Sequence, residues 1–228
     1  MIRPDILDPV ATIRGAIARP SPPAIAAARS LPTATLHEAG GKIGVLPPAI
    51  KPVAPGMRVC GPALTVHSPG GDNLWLHRAI SAAEPGDVLV VSVSEAYDHG
   101  YWGEIMSTAA QVRGLGGLVI DGCVRDVVLL GEIGFPVFAR GLCIRGTGKD
   151  FGARGWINAP IRLDQEIVRA GDLIAGDDDG VVCLPCERAA AIVQAAVERE
   201  AHEAAILARI AGGEDTLSIY GWDAAHDA

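Results

Sequence analysis

GYWGEIMSTAAQVRGLGGLVIDGCVRD, residues 100–126, is the stretch whose reading decides the fold. It divides into a helix start, a helix, a short strand and a turn that carries Arg125 and Asp126. Gly103 opens the helix, Glu104 sits in its first turn, and the amides of Ile105 and Met106 are left without helical partners. Such a helix N-terminus suits a carboxylate or phosphate. The strand Leu118–Ile120 is expected to end at Asp121, with Arg125-Asp126 within the next turn. In open α/β structures ligands collect where strands end. One short segment therefore offers amide donors, a guanidinium and carboxylates at one place.

Outward from it the same alternation continues. Upstream, Val88–Val93 is an apolar run of the kind that forms a buried strand. Before it come a β-rich segment, Pro62–His67, and a helix holding Leu74, Leu76, His77 and Ile80, capped by Asp72 or Asn73. Further back, Ile6, Val10, Ile13 and Ile17 make a helical face over residues 5–19, ended by Pro20, Pro22 and Pro23. A short helix at Ala24–Arg29 and another from Thr33 to Ala39 precede a proline-broken connection over 42–58. Downstream, Asp126–Ile133 reads as a helix closed by Gly134, and Pro136–Ala139 as a strand. A loop-rich basic stretch over 140–160 follows, then short β elements at 157–163, 166–168, 173–175 and 181–184. A helix over Glu187–Ala211 closes the pattern, with Leu217–Tyr220 free to fold back or to reach a neighbour. Nothing marks a boundary, so residues 1–228 read as a single α/β domain with a mixed sheet. It has a helical N-terminal segment over 1–58 and a C-terminal helix and tail over 187–228.

With 228 residues, 49% hydrophobic, the chain is long enough to bury a substantial core. The net charge of −8 and the lack of any Lys/Arg cluster argue against nucleic acid as a partner. No apolar run could span a bilayer and the N-terminus lacks a signal-like apolar block, so a soluble cytoplasmic protein, without membrane attachment, is expected. Five cysteines in mostly apolar contexts read as reduced structural thiols; Cys183 and Cys186 form a C-x-x-C without the second pair that a zinc site needs.

Arg125-Asp126 is the strongest candidate site. The plain alternative is a surface ion pair opening a helix. The company of Asp121, a glycine turn and the amide-rich helix start favours a metal or anion site, since carboxylate oxygens suit Mg²⁺ or Mn²⁺. Asn73 and His77, four apart, share a helix face, and by themselves read as an N-cap plus a half-buried His. Asp177-Asp-Asp-Gly180 lacks the alternation of a calcium loop and reads as a tight turn. Glu198, Glu200 and Glu203 read as a solvated helix face from which one residue could reach an adjacent subunit.

These residues carry a resemblance. Thr35-Leu-His-Glu-Ala39, Pro69-Gly-Gly-Asp-Asn73 with His77, Gly100–Met106, Ile120–Asp126, Gly134–Phe138, Gly176–Val181 and Ile219-Tyr220 resemble the divalent-metal pyruvate aldolases. Those enzymes cleave 4-hydroxy-4-methyl-2-oxoglutarate and 4-carboxy-4-hydroxy-2-oxoadipate, and share a fold with the regulator of ribonuclease activity A. The resemblance spans almost the whole chain. It implies an α/β/β sandwich assembled as a homotrimer or hexamer, and a role in degrading aromatic compounds. By matching position, Asp126 would ligate Mg²⁺ or Mn²⁺, and Glu104 would hold metal-bound water. Gly103 and the amides of Ile105 and Met106 would bind the pyruvyl carboxylate, and Arg125 would steady the enolate. Asn73 and His77 would contact the distal part of the substrate, and Glu203 would come through water from a neighbouring subunit. The implied reaction is retro-aldol cleavage to pyruvate plus oxaloacetate, or to two pyruvates, with oxaloacetate decarboxylation as a side activity. A Schiff base is not expected: the three lysines, Lys42, Lys51 and Lys149, lie outside these motifs. The contrasting expectations are a non-catalytic ribonuclease regulator on the same fold and a dedicated oxaloacetate decarboxylase.

Overall fold

The computed structural model describes Gly15 and residues 17–223. Of the helical face expected over residues 5–19, residues 5–14 and 16 lie outside these, and residues 17–19 are not helical. Two short helices come first: α1 (Pro22–Ala28), opened by prolines at its first turn, and α2 (Thr33–Ala39). Then follow β1 (Lys51–Pro52), β2 (Val59–His67), α3 (Leu74–Ala82), β3 (Val88–Ser92), α4 (Glu104–Val112), β4 (Gly117–Val124), α5 (Val127–Ile133) and β5 (Val137–Leu142). Beyond them lie β6 (Trp156–Ile157), β7 (Ile161–Leu163), β8 (Glu166–Val168), β9 (Leu173–Asp177), β10 (Gly180–Leu184), α6 (Cys186–Ala211) and α7 (Thr216–Tyr220).

Strands β2 to β5 run parallel in the order β5-β4-β3-β2, joined through α3, α4 and α5. Antiparallel β1 sits beyond β5, and the β9–β10 hairpin continues the sheet from β2. Lys51 of β1 donates to the carbonyl of Asp179 between β9 and β10, and Gly56 N–H to Asp178 Oδ1 at 2.9 Å, so the two sheet edges approach each other. Strands buried on both faces need apolar residues at every position. In β4, Leu118, Ile120 and Val124 face α3, α4 and α5, where Trp75, Trp102 and Leu130 complete the core. Val119 faces the other way, onto Val90, Phe138 and the β7–β8 and β9–β10 hairpins. The helix, sheet and second β layer that the resemblance implies are therefore present, and α1, α2 and the first half of α6 cover the outer face of β9–β10.

Two sequence expectations change. Strand β4 does not stop at Asp121 but runs on to Val124. Period-two alternation then puts Asp121 on the face away from α4, where it is 5% exposed and ion-paired with Arg140. Helix α6 buries Ala189, Ile192, Val193 and Ala196 in its first half, whereas Val197, Leu207 and Ile210 stay exposed. The tail makes local contacts, Arg209 Nε donating to Glu214 Oε2 at 2.8 Å and Tyr220 stacking on Trp222 at 4.6 Å, and α7 buries none of its residues. The Asp177–Gly180 segment is the expected tight turn, with Gly180 at φ 149°. All five cysteines are free.

Candidate active site

Four loops leave the C-terminal ends of β2, β3, β4 and β5 and enclose a cavity of about 330 Å³. Its deep wall is the turn Gly100–Gly103. That turn is anchored from below because Tyr101 and Trp102 are fully buried. The Tyr101 hydroxyl donates to Ala96 O at 2.6 Å and accepts from Gly71 N–H at 2.8 Å. Trp102 Nε1 donates to Ser107 Oγ at 2.6 Å. Burying rings with their polar tips satisfied fixes the backbone between them. Arg125 N–H then donates to Trp102 O at 2.9 Å, tying the turn after β4 to the same wall.

Asp126 is the distinctive residue. It holds φ 62° and ψ 34°, a left-handed conformation that costs a non-glycine residue about 1–3 kcal/mol. It stands at the N-cap of α5, yet its side chain makes no cap bond there. Instead Oδ2 accepts the Glu104 N–H of α4 at 3.1 Å, with Arg125 Nε 3.8 Å away. The exposed ion pair of the plain reading is present at the start of α5, but the carboxylate also bonds α4 rather than capping its own helix. Gly103 makes the approach possible: a Cβ there would lie 2.3 Å from Asp126 Oδ2. The amides of Ile105 and Met106, in the same first turn, have no acceptor among the described residues.

The opposite wall comes from α3 and the loop after β5. Asp72, not Asn73, caps α3: its Oδ1 accepts Leu74 N–H at 2.8 Å. That leaves the Asn73 side chain to line the cavity, where its Nδ2 donates to Tyr101 O at 2.9 Å and its Oδ1 accepts from Lys149 Nζ at 3.1 Å. His77 lines the cavity one turn on. Burial, and then the charge of Lys149, lower its pKa below 6.5, so the imidazole is neutral at neutral pH. Lys149 and Thr147 are wall residues that sequence reasoning missed. The basic, glycine-punctuated stretch 140–160 was the one signal. What brings it here is a zip with the α3 entrance: Gly148 N–H to Gly71 O at 2.7 Å, Asn73 N–H to Gly148 O at 3.3 Å, and Asp150 N–H to Asp72 Oδ2 at 2.5 Å.

The structure thus brings together on one cavity Asn73, His77, Gly103, Glu104, Ile105, Met106, Arg125 and Asp126. Glu203 is elsewhere, on α6, paired with Arg199 Nε at 2.7 Å. Among the described residues no three His, Cys, Asp or Glu side chains converge to hold an ion. The donors on this wall are the exposed carboxylates of Asp126 and Glu104. A sparse set of hard oxygen donors fits Mg²⁺ or Mn²⁺, which retain several waters, and does not fit a fully caged Zn²⁺ or Ca²⁺. Chemically the cavity offers amide donors, two cations, a neutral imidazole and two exposed carboxylates, a set suited to a small anion. No helix among the described residues is long and apolar enough to cross a membrane.

Known proteins are similar to this chain in sequence and in fold. A protein of Halalkalibacterium halodurans named "Putative 4-hydroxy-4-methyl-2-oxoglutarate aldolase" is 34% identical over 177 residues, 78% of this chain and 83% of that protein. A crystal structure of a protein from Pseudomonas syringae pv. tomato superposes with a TM-score of 0.77 at 30% identity, covering 89% of this chain and 95% of the other. Streptomyces coelicolor RraAS2, described as an unusual member of the RNase ES inhibitor RraA family, superposes with a TM-score of 0.72 at 27% identity, covering 84% of this chain and all of that one. The family description Aldolase/RraA matches residues 6–183, and the chain belongs to this RraA-like family.

Proposed function

We propose that the chain is a carbon–carbon lyase that releases pyruvate by retro-aldol cleavage of 4-carboxy-4-hydroxy-2-oxoadipate, giving oxaloacetate as the second product. With 4-hydroxy-4-methyl-2-oxoglutarate the products are two pyruvates. The observation that carries this reading is Asp126, held in a left-handed conformation with its carboxylate turned from its own helix to the Glu104 N–H that opens α4. The aldolase name of a relative 34% identical supports it.

The amides of Ile105 and Met106 receive the carboxylate of the 2-oxo acid, aided by the helix N-terminus. Asp126, with Glu104 beside it, would hold a Mg²⁺ or Mn²⁺ ion, which when bound would supply Lewis-acid polarisation of the 2-keto oxygen. Glu104 takes up, through a water, the proton of the C4 hydroxyl. The C3–C4 bond breaks, its electron pair passes into the pyruvate enolate, and C4 becomes a carbonyl. Arg125 donates to the enolate oxygen as its charge grows, an interaction stronger in the transition state than in the ground state. Protonation at C3 then releases pyruvate. Lys149, with His77 and Asn73, faces the distal end and pairs with its carboxylate. Oxaloacetate decarboxylation passes through the same enolate and is a side activity.

One domain spans the chain in this reading, and the working form is a cytoplasmic homotrimer or hexamer engaged in aromatic-compound breakdown. A neighbouring copy lends Glu203. The apolar residues left exposed on the second half of α6 and on α7 support such an assembly. The likeness to RraAS2 favours a second reading, a ribonuclease regulator without catalysis.

A lactate-dehydrogenase-coupled assay of pyruvate release, on both aldol acids and on oxaloacetate, tests the proposal. Turnover is expected with Mg²⁺ or Mn²⁺, is lost with a chelator and in Asp126→Ala, and falls about a hundred- to a thousandfold in Arg125→Ala. Full turnover in chelator overturns the metal role; no pyruvate from any of the three acids leaves the regulator reading standing.

A further inference from the structure

The cavity above lies at the C-terminal ends of the parallel strands. A second cavity, of about 350 Å³, opens at their opposite ends. Arg58, Val59 and Cys60 reach it from the start of β2, Gly86 from the turn before β3, and Gly114 to Gly116 from the turn before β4. Arg29, at the C-cap of α1, closes the side.

Its charged lining is two guanidinium groups and no carboxylate, in a chain whose net charge is −8. Arg58 is fixed in place: Nη2 donates to Leu31 O at 2.7 Å and Nε to Arg29 O at 3.3 Å. The nearest acid, Asp177, is 3.9 Å from Arg58 Nη1, and its oxygens are already taken by Thr33 Oγ1 at 2.6 Å and Thr33 N–H at 2.9 Å. Arg29 makes no side-chain hydrogen bond or ion pair among the described residues, so its planar fork of donors is free.

The backbone keeps the space open. Gly86 and Gly114 turn at φ 88° and 71°, conformations that favour glycine. Gly61 and Gly116 clamp the Gly86 carbonyl so closely that a Cβ on either would come within 2.3 or 2.7 Å of its oxygen. The turn is therefore held against both β2 and β4, and a Cβ on Gly86 itself would meet nothing within 4 Å. Val59 and Leu115 give the cavity an apolar floor, and both are buried. Cys60 registers the field: burial raises its thiol to about 11, while the charges of Arg29 and Arg58 both pull the other way. Two cations that act on one buried atom also act on an anion placed beside it.

We propose that this second cavity binds a small organic anion, its carboxylate or phosphate head between Arg29 and Arg58 and its apolar part over Val59 and Leu115. The volume lies within the range of small-molecule sites. The site is independent of the aldolase reading, because no residue of the first cavity takes part.

Amide NMR on the full chain tests it, with inorganic phosphate and benzoate as probes. Saturable shifts are expected at Cys60, Gly86, Gly114 and Gly116, centred near the ~1 mM expected of a weak charge-assisted site. Arg29→Gln, which removes no fold contact, should weaken binding by about tenfold or more and leave pyruvate release without added anion unchanged. Arg125→Ala, which disables the first cavity, should leave the titration unchanged, so the two readings fail separately. A benzoate response assigns a carboxylate ligand and a phosphate response a phosphate ligand; either supports the site. Silent glycine amides with both probes, or identical titrations in wild type and Arg29→Gln, overturn it.

Discussion

Gly103→Ala is the sharpest probe of the proposed chemistry, because it adds one methyl group at a measured place. The new Cβ would lie 2.3 Å from Asp126 Oδ2, 3.2 Å from its Cγ and 3.3 Å from Arg125 Cγ. Relief to ordinary contact requires the Asp126 carboxylate to retreat by about 1 Å, which breaks its bond to Glu104 N–H. Misplacing a catalytic group by about 1 Å costs on the order of a hundredfold in rate. The backbone should not object: Gly103 is extended, at φ −162° and ψ −164°, a conformation open to alanine. Stability should therefore fall by no more than about 1 kcal/mol, the cost of alanine at an N-cap. Coupled pyruvate-release kinetics and calorimetry on the same preparations separate the two effects. Gly131→Ala, on α5, is the matched control, because its Cβ would meet only Ala54 Cβ at 3.7 Å. That variant should keep its activity and gain about 0.5–1 kcal/mol from helix propensity. A Gly103→Ala enzyme with wild-type kcat would show that the Asp126 carboxylate is not the group on which turnover depends.

Lys149→Met keeps the aliphatic stem and removes the cation facing the distal half of the cavity. It should raise KM for the dicarboxylic and tricarboxylic substrates on the order of tenfold with kcat little changed, and an unaltered KM would remove Lys149 from substrate recognition. Stability should also respond to acid. Burial lowers the pKa of His67, and burial with the Lys149 charge lowers that of His77, both from 6.5. The unfolded chain therefore takes up protons that the folded chain refuses as pH drops through 6.5, and stability is lost between 6.5 and the lower folded values. Asp172, raised by burial from 3.8, works in the opposite sense at lower pH. Melting temperatures measured across 6.5 should fall on acidification, and a rise there would contradict the neutral, buried state of both imidazoles.

Much of the architecture was legible in residue order because it rests on local rules. A continuous apolar run marked β3 and a β-rich segment marked β2, glycine at 103 and 134 marked helix ends, a capping residue at 72 or 73 marked α3, and Ala and Glu richness marked α6. The positions of Glu104, Arg125 and Asp126 followed from the same rules, since strand and helix ends lie close along the chain. Asp121 shows where local reading fails. Its neighbours Gly122 and Cys123 resemble a turn, yet pairing of Cys123 with Gly141 on β5 extends the strand and turns Asp121 toward Arg140. Period-two alternation keeps Asp121 on the face opposite Ile120, and the extension of the strand denies it the turn position at the strand end.

Sequence by itself determined the alternation of helices and strands in one α/β domain, the amide-rich start of α4 and the chemical types gathered at residues 100–126. These depend on periodicity and on residues a few positions apart. Tertiary structure alone decided that Lys149 joins Asn73 and His77, that Asp72 does the capping, and that Asp126 serves a helix other than its own. The Lys149 and Asp126 contacts pair residues 76 and 22 positions apart, and Asp150 N–H meets Asp72 Oδ2 across 78, whereas the Asp72 cap on Leu74 N–H is local. The donors and acceptors in such pairs are present in every sequence window. Only the packing of the buried Tyr101, Trp102 and Trp75 rings selects which of them meet.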